Sequence, residues 1–330
     1  MKICVVGLGA VGSLFAAWLG QRLPAAQYRL SAFARGATLA AVRAQGLQIL
    51  DHAGLHCQQL CASDSPAELG VQDLVIVAVK AHALASVAPA VQALSGPDTA
   101  VLVALNGVPW WFFDGLPGPC SGLRLKSVDA DGRLARHLPN RQVVGCVVHA
   151  SSSCPAPGVL RHGGGNGLII GRPAGGVDPA LQALRALLGQ AGFAVTLSER
   201  IQREVWFKLW GNMTMNPISA LTGATVDQML DDPLVRAFAS AIMLEAQTVG
   251  AAIGIPIDQQ PDERHQVTRK LGAFKTSMLQ DLQAGRALEL DALVGAVREI
   301  ASHLGLATPN LDALFGLVRL MAQQRGLYPA

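Results

Sequence analysis

The feature that most constrains the fold is a glycine loop behind the first apolar run. Lys2-Ile3-Cys4-Val5-Val6 is short and β-forming, and Gly7-Leu8-Gly9-Ala10-Val11-Gly12 follows directly. Ser13 to Leu19 then reads as a helix start, with Leu14, Phe15 and Trp18 on one face. Strand, glycine turn and helix in that order form a dinucleotide-binding unit. Gly7 permits the tight turn, Gly9 lets backbone approach a pyrophosphate, and Gly12 allows close helix–strand packing. The helix N-terminus offers N–H groups and a positive dipole end to the phosphates. A lone loop of this kind is weak evidence; directly after a first strand it outweighs the reading of a plain βα turn.

The next strand spans about Tyr28 to Ala34. NAD-binding folds place an acid near its end to hold the ribose 2′-hydroxyl. Here no acidic residue precedes Asp51, and Arg35 closes the strand. A guanidinium there suits a 2′-phosphate by charge and by geometry, so the expected cofactor is NADP(H). The runs Asp73 to Lys80 and Ala100 to Gly107 are continuously apolar, as buried parallel strands are. Ligands in such sheets sit outside the carboxyl ends of the strands. Gly9, Arg35, Lys80 and Asn106 all fall at such ends, although for Lys80 alone a surface strand end is the competing reading.

Gly46 to Ile49 and Leu55 to Leu60 read as short strands around a turn at His52-Ala53-Gly54. Residues 109–142, with Trp110, Trp111, Phe112 and Phe113, read as a long excursion, a hairpin with an aromatic plug. Its aromatics are packing rather than a base-stacking platform, because no basic groove accompanies them. Val143 to Ala150 and Gly167 to Ile170 are strand-like, and Pro155 to Gly165 between them is a turn signal. Asp178 to Ala191 is an amphipathic helix, and Phe193 to Leu197 a last strand. A first domain, 1–199, is therefore expected as a Rossmann-type α/β unit. The second, 200–330, is all helix: 233–254 behind the cap Asp231-Asp232-Pro233, 262–283, 290–304, and a last one from Thr308-Pro309.

Glu204 to Pro217 is apolar on nearly every side, through Val205, Trp206, Phe207, Leu209, Trp210, Met213 and Met215, which marks a buried helix. Glu204, Lys208, Asn212 and Asn216 nevertheless recur every four residues, on one slowly drifting stripe. Buried polar groups are costly without partners, so an amine and two amides in line suggest a wet, lined cavity. A polar seam against another helix is the alternative.

Over 330 residues, 51% are apolar and 15% charged, which suits two cored domains and neither disorder nor a coiled coil. A net charge of +3 without a dense basic run gives no nucleic-acid surface. No uninterrupted apolar run of about 20 residues predicts a spanning helix. No signal-like segment opens the chain, so a cytoplasmic protein is expected. Cys4, Cys57, Cys61, Cys120, Cys146 and Cys154 then read as reduced and structural. His52, His56, Cys57 and Cys61 have metal-ligand types, but their spacing matches no common finger, so no metal is expected.

With these residues in hand, the chain resembles the ketopantoate reductases (2-dehydropantoate 2-reductases). The resemblance spans nearly all of it and rests on five features: the Gly7–Gly12 loop; Lys80; Asn106-Gly107; the run Lys208 to Pro217; and Ser277-Met278-Leu279-Gln280-Asp281 with Glu289 twelve residues after Ser277. It implies NADPH as cofactor and a 2-oxo acid as substrate. It further implies Lys208 as proton donor, with Glu289 assisting. Asn212, Asn216 and Ser277 would hold the substrate's hydroxyl and carboxylate, and Lys80 and Asn106 would line the nicotinamide end of the cleft. The chemistry fits, because hydride delivery pushes negative charge onto the keto oxygen, which an ammonium stabilises and protonates. Without the resemblance, Glu289 is a helix-start acid and Ser277 a mid-helix serine. Two departures bear on substrate shape: Leu221 to Val226 lacks a further Asn found in some members, and the 109–142 excursion is long. The readings are a ketopantoate reductase, a paralogue acting on another branched 2-oxo acid, or an NADP(H)-binding sensor without turnover. The apolar C-terminal helices leave a monomer and a homodimer both open.

Overall fold

The computed structural model describes residues 1–51, 54–270 and 272–329. Its strands are β1 (Lys2–Val6), β2 (Arg29–Phe33), β3 (Leu47–Asp51), β4 (Gly54–Gln58), β5 (Cys61–Ser63), β6 (Gln72–Val77), β7 (Ser95–Val103), β8 (Val143–Ala156), β9 (Val159–Gly171) and β10 (Ala194–Leu197). Its helices are α1 (Ala10–Arg22), α2 (Gly36–Gln45), α3 (Pro66–Leu69), α4 (Ala81–Ala93), α5 (Lys126–Asp129), α6 (Arg133–His137), α7 (Pro179–Gln190), α8 (Ile201–Thr222), α9 (Val226–Asp231), α10 (Pro233–Ala252), α11 (Pro261–Arg269), α12 (Ser277–Gln283), α13 (Ala296–His303) and α14 (Pro309–Gln324). A π-helical turn, Asp291–Gly295, leads into α13.

The chain divides into two units with separate cores, Met1–Leu105 with Gly132–Glu204, and Asn106–Asp131 with Val205–Ala330. Unlike the contiguous 1–199 and 200–330 of the sequence reading, Asn106–Asp131 leaves the first unit for the second. Its apolar side chains explain this: Val108, Phe112, Phe113, Leu116, Cys120 and Leu125 are buried in the core that α8 organises.

The first unit is a sheet in the order β4-β3-β9-β8-β7-β6-β1-β2-β5, with β10 beside β9. From β5 through β2, β1, β6 and β7 to β8 every pairing is parallel, while β3–β4 and β8–β9 are antiparallel. The apolar runs in β1 and β6 are buried along almost their whole length, as strands covered on both faces are. Register makes the carboxyl ends flush: Val6 faces Phe33 and Val77, and Val77 faces Val103. β8 and β9 run far past the expected spans, so most of 155–165 is strand; only the Pro157-Gly158 turn remains, with Gly158 at φ +72°. Gly163-Gly164-Gly165 lies within β9, where the register shifts. Asp178 caps α7, accepting from Leu181 N–H at 2.6 Å and Arg172 Nε at 2.8 Å. Burial pushes that carboxyl up, but the amide and the guanidinium overcome it and hold it below the usual range.

Residues 109–142, of which 109–131 belong to the second unit, contain no strand, so the expected hairpin is absent. Trp110 to Phe113 are buried, and Phe112 packs 6.0 Å from Trp206, centroid to centroid. α8 buries Trp206, Leu209, Trp210 and Met213 almost completely, as its apolar girth requires. The single helix expected over 262–283 is two, α11 and α12. The second restarts at Thr276, whose hydroxyl accepts from Leu279 N–H at 3.3 Å.

No helix among the described residues is long and apolar enough to cross a membrane. His52 and Ala53, part of the expected 52–54 turn, lie outside the described residues, and so does one member of the His/Cys cluster. Among the described residues no group of three or more His, Cys, Asp or Glu is placed to hold a metal ion.

Candidate active site

In the first unit, Gly7, Leu8, Gly9, Arg35, Thr38 and Val79 help line a cleft of about 220 Å3 at the carboxyl ends of β1, β2 and β6. Each glycine has a distinct geometric reason. Gly7 stands at φ +89°, a conformation that favours glycine. A Cβ on Gly12 would lie 1.8 Å from the Gly7 carbonyl oxygen, so only glycine lets α1 close onto the loop. A Cβ on Gly9 would meet nothing within 4 Å, which leaves the space above it open to a ligand. Gly9 is also the N-cap of α1, and no side chain caps that first turn among the described residues. These observations fit a pyrophosphate on the α1 amides, with Ala10, Val11 and Gly12 supplying the first-turn backbone. Arg35, at the N-cap of α2, donates from Nη2 to Ser86 Oγ at 3.1 Å and lines the same cleft. The hydroxyl holds the guanidinium at the rim without neutralising it, which suits a 2′-phosphate. Lys80 is the N-cap of α4, one residue after cleft-lining Val79. Thr38 has no sequence reading behind it; its place in the first turn of the helix opened by Arg35-Gly36 was the available signal.

In the second unit, α8 carries Lys208, Asn212 and Asn216 on one stripe, the first two half-buried and Asn216 7% exposed. Lys208 Nζ donates to Asn106 Oδ1 at 2.9 Å, across 102 positions of sequence. Asn106 is itself held, because the next two residues dock on the π-turn. Val108 N–H donates to the Ala292 carbonyl at 2.8 Å. Gly107, at φ +84°, lies so close that a Cβ there would stand 2.5 Å from the same oxygen. A π-helical turn widens the hydrogen-bond ring, which leaves carbonyls free for outside donors, and such turns recur at functional sites. Glu289, 8% exposed, comes two residues before this turn. The segment is braced from the C-terminal end: Leu288 N–H donates to the Leu327 carbonyl at 3.0 Å, and the Tyr328 hydroxyl donates to Asp291. Burial and that carboxylate together push the Tyr328 phenol well above its ordinary value.

Asn106, Lys208 and the Glu289 segment are thus joined through one chain of contacts in one unit. Ser277 is not part of that chain. It is exposed at the first position of α12, where the sequence reading has a mid-helix serine. The glycine loop, Arg35 and Lys80 belong to the other unit. An ammonium held by an amide can stabilise a developing oxyanion and supply a proton to it.

Comparison with known proteins agrees. The family model "Ketopantoate reductase PanE/ApbA" matches residues 3–175, and "Ketopantoate reductase PanE/ApbA C terminal" matches 200–322. The chain is 40% identical over 328 residues to a 2-dehydropantoate 2-reductase of Mesorhizobium japonicum, covering 99% of this chain and all of that one. A crystal structure of a candidate ketopantoate reductase from Ralstonia solanacearum MolK2 is 55% identical, with a TM-score of 0.93 over 99% of both chains. A 2-dehydropantoate 2-reductase from Methylococcus capsulatus superposes with a TM-score of 0.82 at 25% identity over 98% of both. A D-mandelate dehydrogenase solved with NADH and anilino(oxo)acetate shares the fold, with a TM-score of 0.85 at 21% identity over 99% of this chain and all of that one. A glycine cradle that only glycine can close, a helix bearing an amide-held lysine, and models matched in both halves lead to one conclusion: the chain belongs to the ketopantoate reductase family.

Proposed function

We propose that this chain is an NADPH-dependent reductase that converts 2-dehydropantoate to pantoate, in the supply of pantothenate and coenzyme A. The observation that carries the chemistry is the half-buried Lys208 ammonium donating to Asn106 Oδ1 at 2.9 Å. NADPH supplies the hydride that reduces C2 of the 2-oxo acid. Negative charge then grows on the C2 oxygen, and Lys208 Nζ stabilises it and delivers a proton there. Asn106, fixed on Ala292, keeps Nζ in one orientation. Glu289 assists by holding the amine in position, and the amine regains its proton from solvent. Asn212, Asn216 and Ser277 bind the substrate's hydroxyl and carboxylate, since amides and hydroxyls both donate and accept. Gly7 to Gly12 and Arg35 hold the pyrophosphate and the 2′-phosphate, and Lys80 and Asn106 serve the nicotinamide end. The relatives named 2-dehydropantoate 2-reductase along their whole length support this substrate.

The test is NADPH consumption with 2-dehydropantoate, other branched 2-oxo acids and an aryl 2-oxo acid, with the product identified. Fastest turnover of 2-dehydropantoate is expected. Tight NADPH binding with turnover of none would favour a sensor, and a faster branched analogue a paralogue. A homodimer in the cytoplasm is part of the same proposal. Leu317 and Leu320, both more than half exposed and one turn apart on α14, are the apolar surface that a second copy would cover. Sedimentation velocity tests it, with a monomer at micromolar concentration counting against it.

A further inference from the structure

Arg264 is a cation that none of the roles above uses. It projects from α11 onto α8, with its guanidinium carbon 4.9 Å from the centroid of the Phe207 ring. A Cβ on Gly211 would lie 3.4 Å from Arg264 Nε and 3.5 Å from Nη2, so the guanidinium lies against α8 backbone there. Its Nε is buried with no hydrogen-bond partner. Among the described residues no carboxylate pairs with it: the acid one residue before it, Glu263, is engaged in the α11 capping box. Burial pushes its pKa down, and no acid opposes the shift.

A half-buried guanidinium without an anion is costly, and the ring contact leaves its Nε donor unmet. Location indicates what meets it. Gly211 lies between Lys208 and Asn212 in the chain, about 60° around the helix from Lys208 at 3.6 residues per turn. Phe207 is about 100° from Lys208 in that same direction and Asn212 about 100° from Gly211, so the guanidinium lies on the Lys208 side of the stripe. Its planar fork matches a carboxylate, whereas Asn212, Asn216 and Ser277 offer only neutral groups.

We propose that Arg264 adds a charged contact to the carboxylate of the 2-oxo acid from the flank of α8, beside the neutral groups of Asn212, Asn216 and Ser277. This rests on the reading of Lys208 as proton donor to that substrate. An anchored carboxylate leaves C2 and its oxygen facing the amine one turn away, and it selects acids over their neutral amides.

The test is steady-state kinetics of wild type, Arg264→Gln, Arg264→Lys and Lys208→Ala, using 2-dehydropantoate and its neutral amide. Losing a charge-assisted fork should raise KM for the acid about 10- to 100-fold in Arg264→Gln, with NADPH affinity within about twofold. Arg264→Lys should recover part of the loss, and the acid-over-amide preference should collapse. An unchanged KM, or an equal loss for acid and amide, would overturn the assignment while leaving the Lys208 chemistry standing. If wild type turns over no 2-oxo acid, the proposed function fails by itself, and pantoate titrations followed by tryptophan fluorescence decide Arg264. Weaker pantoate binding in Arg264→Gln at unchanged melting temperature supports the site, and equal binding overturns it. Should Arg264→Gln not fold, Arg264→Lys, which keeps stem and charge, carries the same comparison.

Discussion

Lys208 and Arg35 are two cations with contrasting surroundings and different proposed tasks. Lys208 is half-buried and donates to the Asn106 amide oxygen, and the role proposed for it is proton donor to a developing oxyanion. Lys208→Ala should lower kcat by about 10²- to 10⁴-fold, the scale of general acid catalysis, with little change in NADPH affinity. Stopped-flow turnover beside a cofactor titration checks both halves of that statement. Arg35 is at an open rim, where the Ser86 hydroxyl accepts from it. Removing it in Arg35→Gln should weaken NADPH about 10- to 100-fold and leave NADH nearly unchanged, as loss of a charge-assisted phosphate contact would. Equal weakening of both cofactors would show that Arg35 shapes the cleft rather than reading the phosphate. Both residues were candidates in sequence because each rests on a local signal. One is a polar position recurring on an apolar helix, and the other a cation where an acid belongs.

Two elements carry more of the site than their sequences announce. The π-turn Asp291–Gly295 reads in sequence as the first turn of an amphipathic helix, since Leu290, Leu293 and Val294 fit a helical face. What selects the wider turn is tertiary: an outside donor, Val108 N–H, on the Ala292 carbonyl, and a Tyr328 hydroxyl on Asp291. α11 packs on α10 through His265, 5% exposed, with Nε2 2.9 Å from Ser240 Oγ. Burial holds this imidazole below its ordinary pKa of 6.5, the Asp262 charge opposes that, and the Arg236 charge reinforces it. In the unfolded chain the ring takes a proton as pH falls through 6.5, while the folded protein does not. Folding stability is therefore complete above the unfolded value and declines toward the lower folded one, by at most about 1.4 kcal/mol per pH unit. His265→Gln should flatten that part of the profile. Urea midpoints of wild type and variant between about pH 7.5 and 5.5 show it, and parallel slopes would refute it.

At the scale of the molecule, the two cores do not follow the order of the chain. Asn106–Asp131 supplies Phe112, Phe113 and Leu116 to a core otherwise built after residue 205, and Glu299 accepts from the N–H groups of Lys126 and Ser127 at 2.7 and 2.8 Å. A fragment cut at 200–330 should therefore fail to pack. Losing even one buried Phe typically costs about 3–5 kcal/mol, comparable with a small domain's whole stability. Strong dye binding to exposed apolar surface and no cooperative melt are expected, and a cooperatively melting fragment would contradict the assignment of the excursion. By itself, the sequence determined the glycine-cradled α/β unit, the greasy helix with its amine and amides, and the helical second half. Each of these follows from spacing over a few residues, which periodicity and turn chemistry set locally. Only the tertiary structure decided that the aromatic excursion joins the second core, that Asn106 accepts from Lys208, that Ser277 opens a helix, and that Arg264 lies beside Gly211 with no carboxylate partner among the described residues. Those facts depend on contacts between residues far apart in sequence, which depend on how whole elements pack.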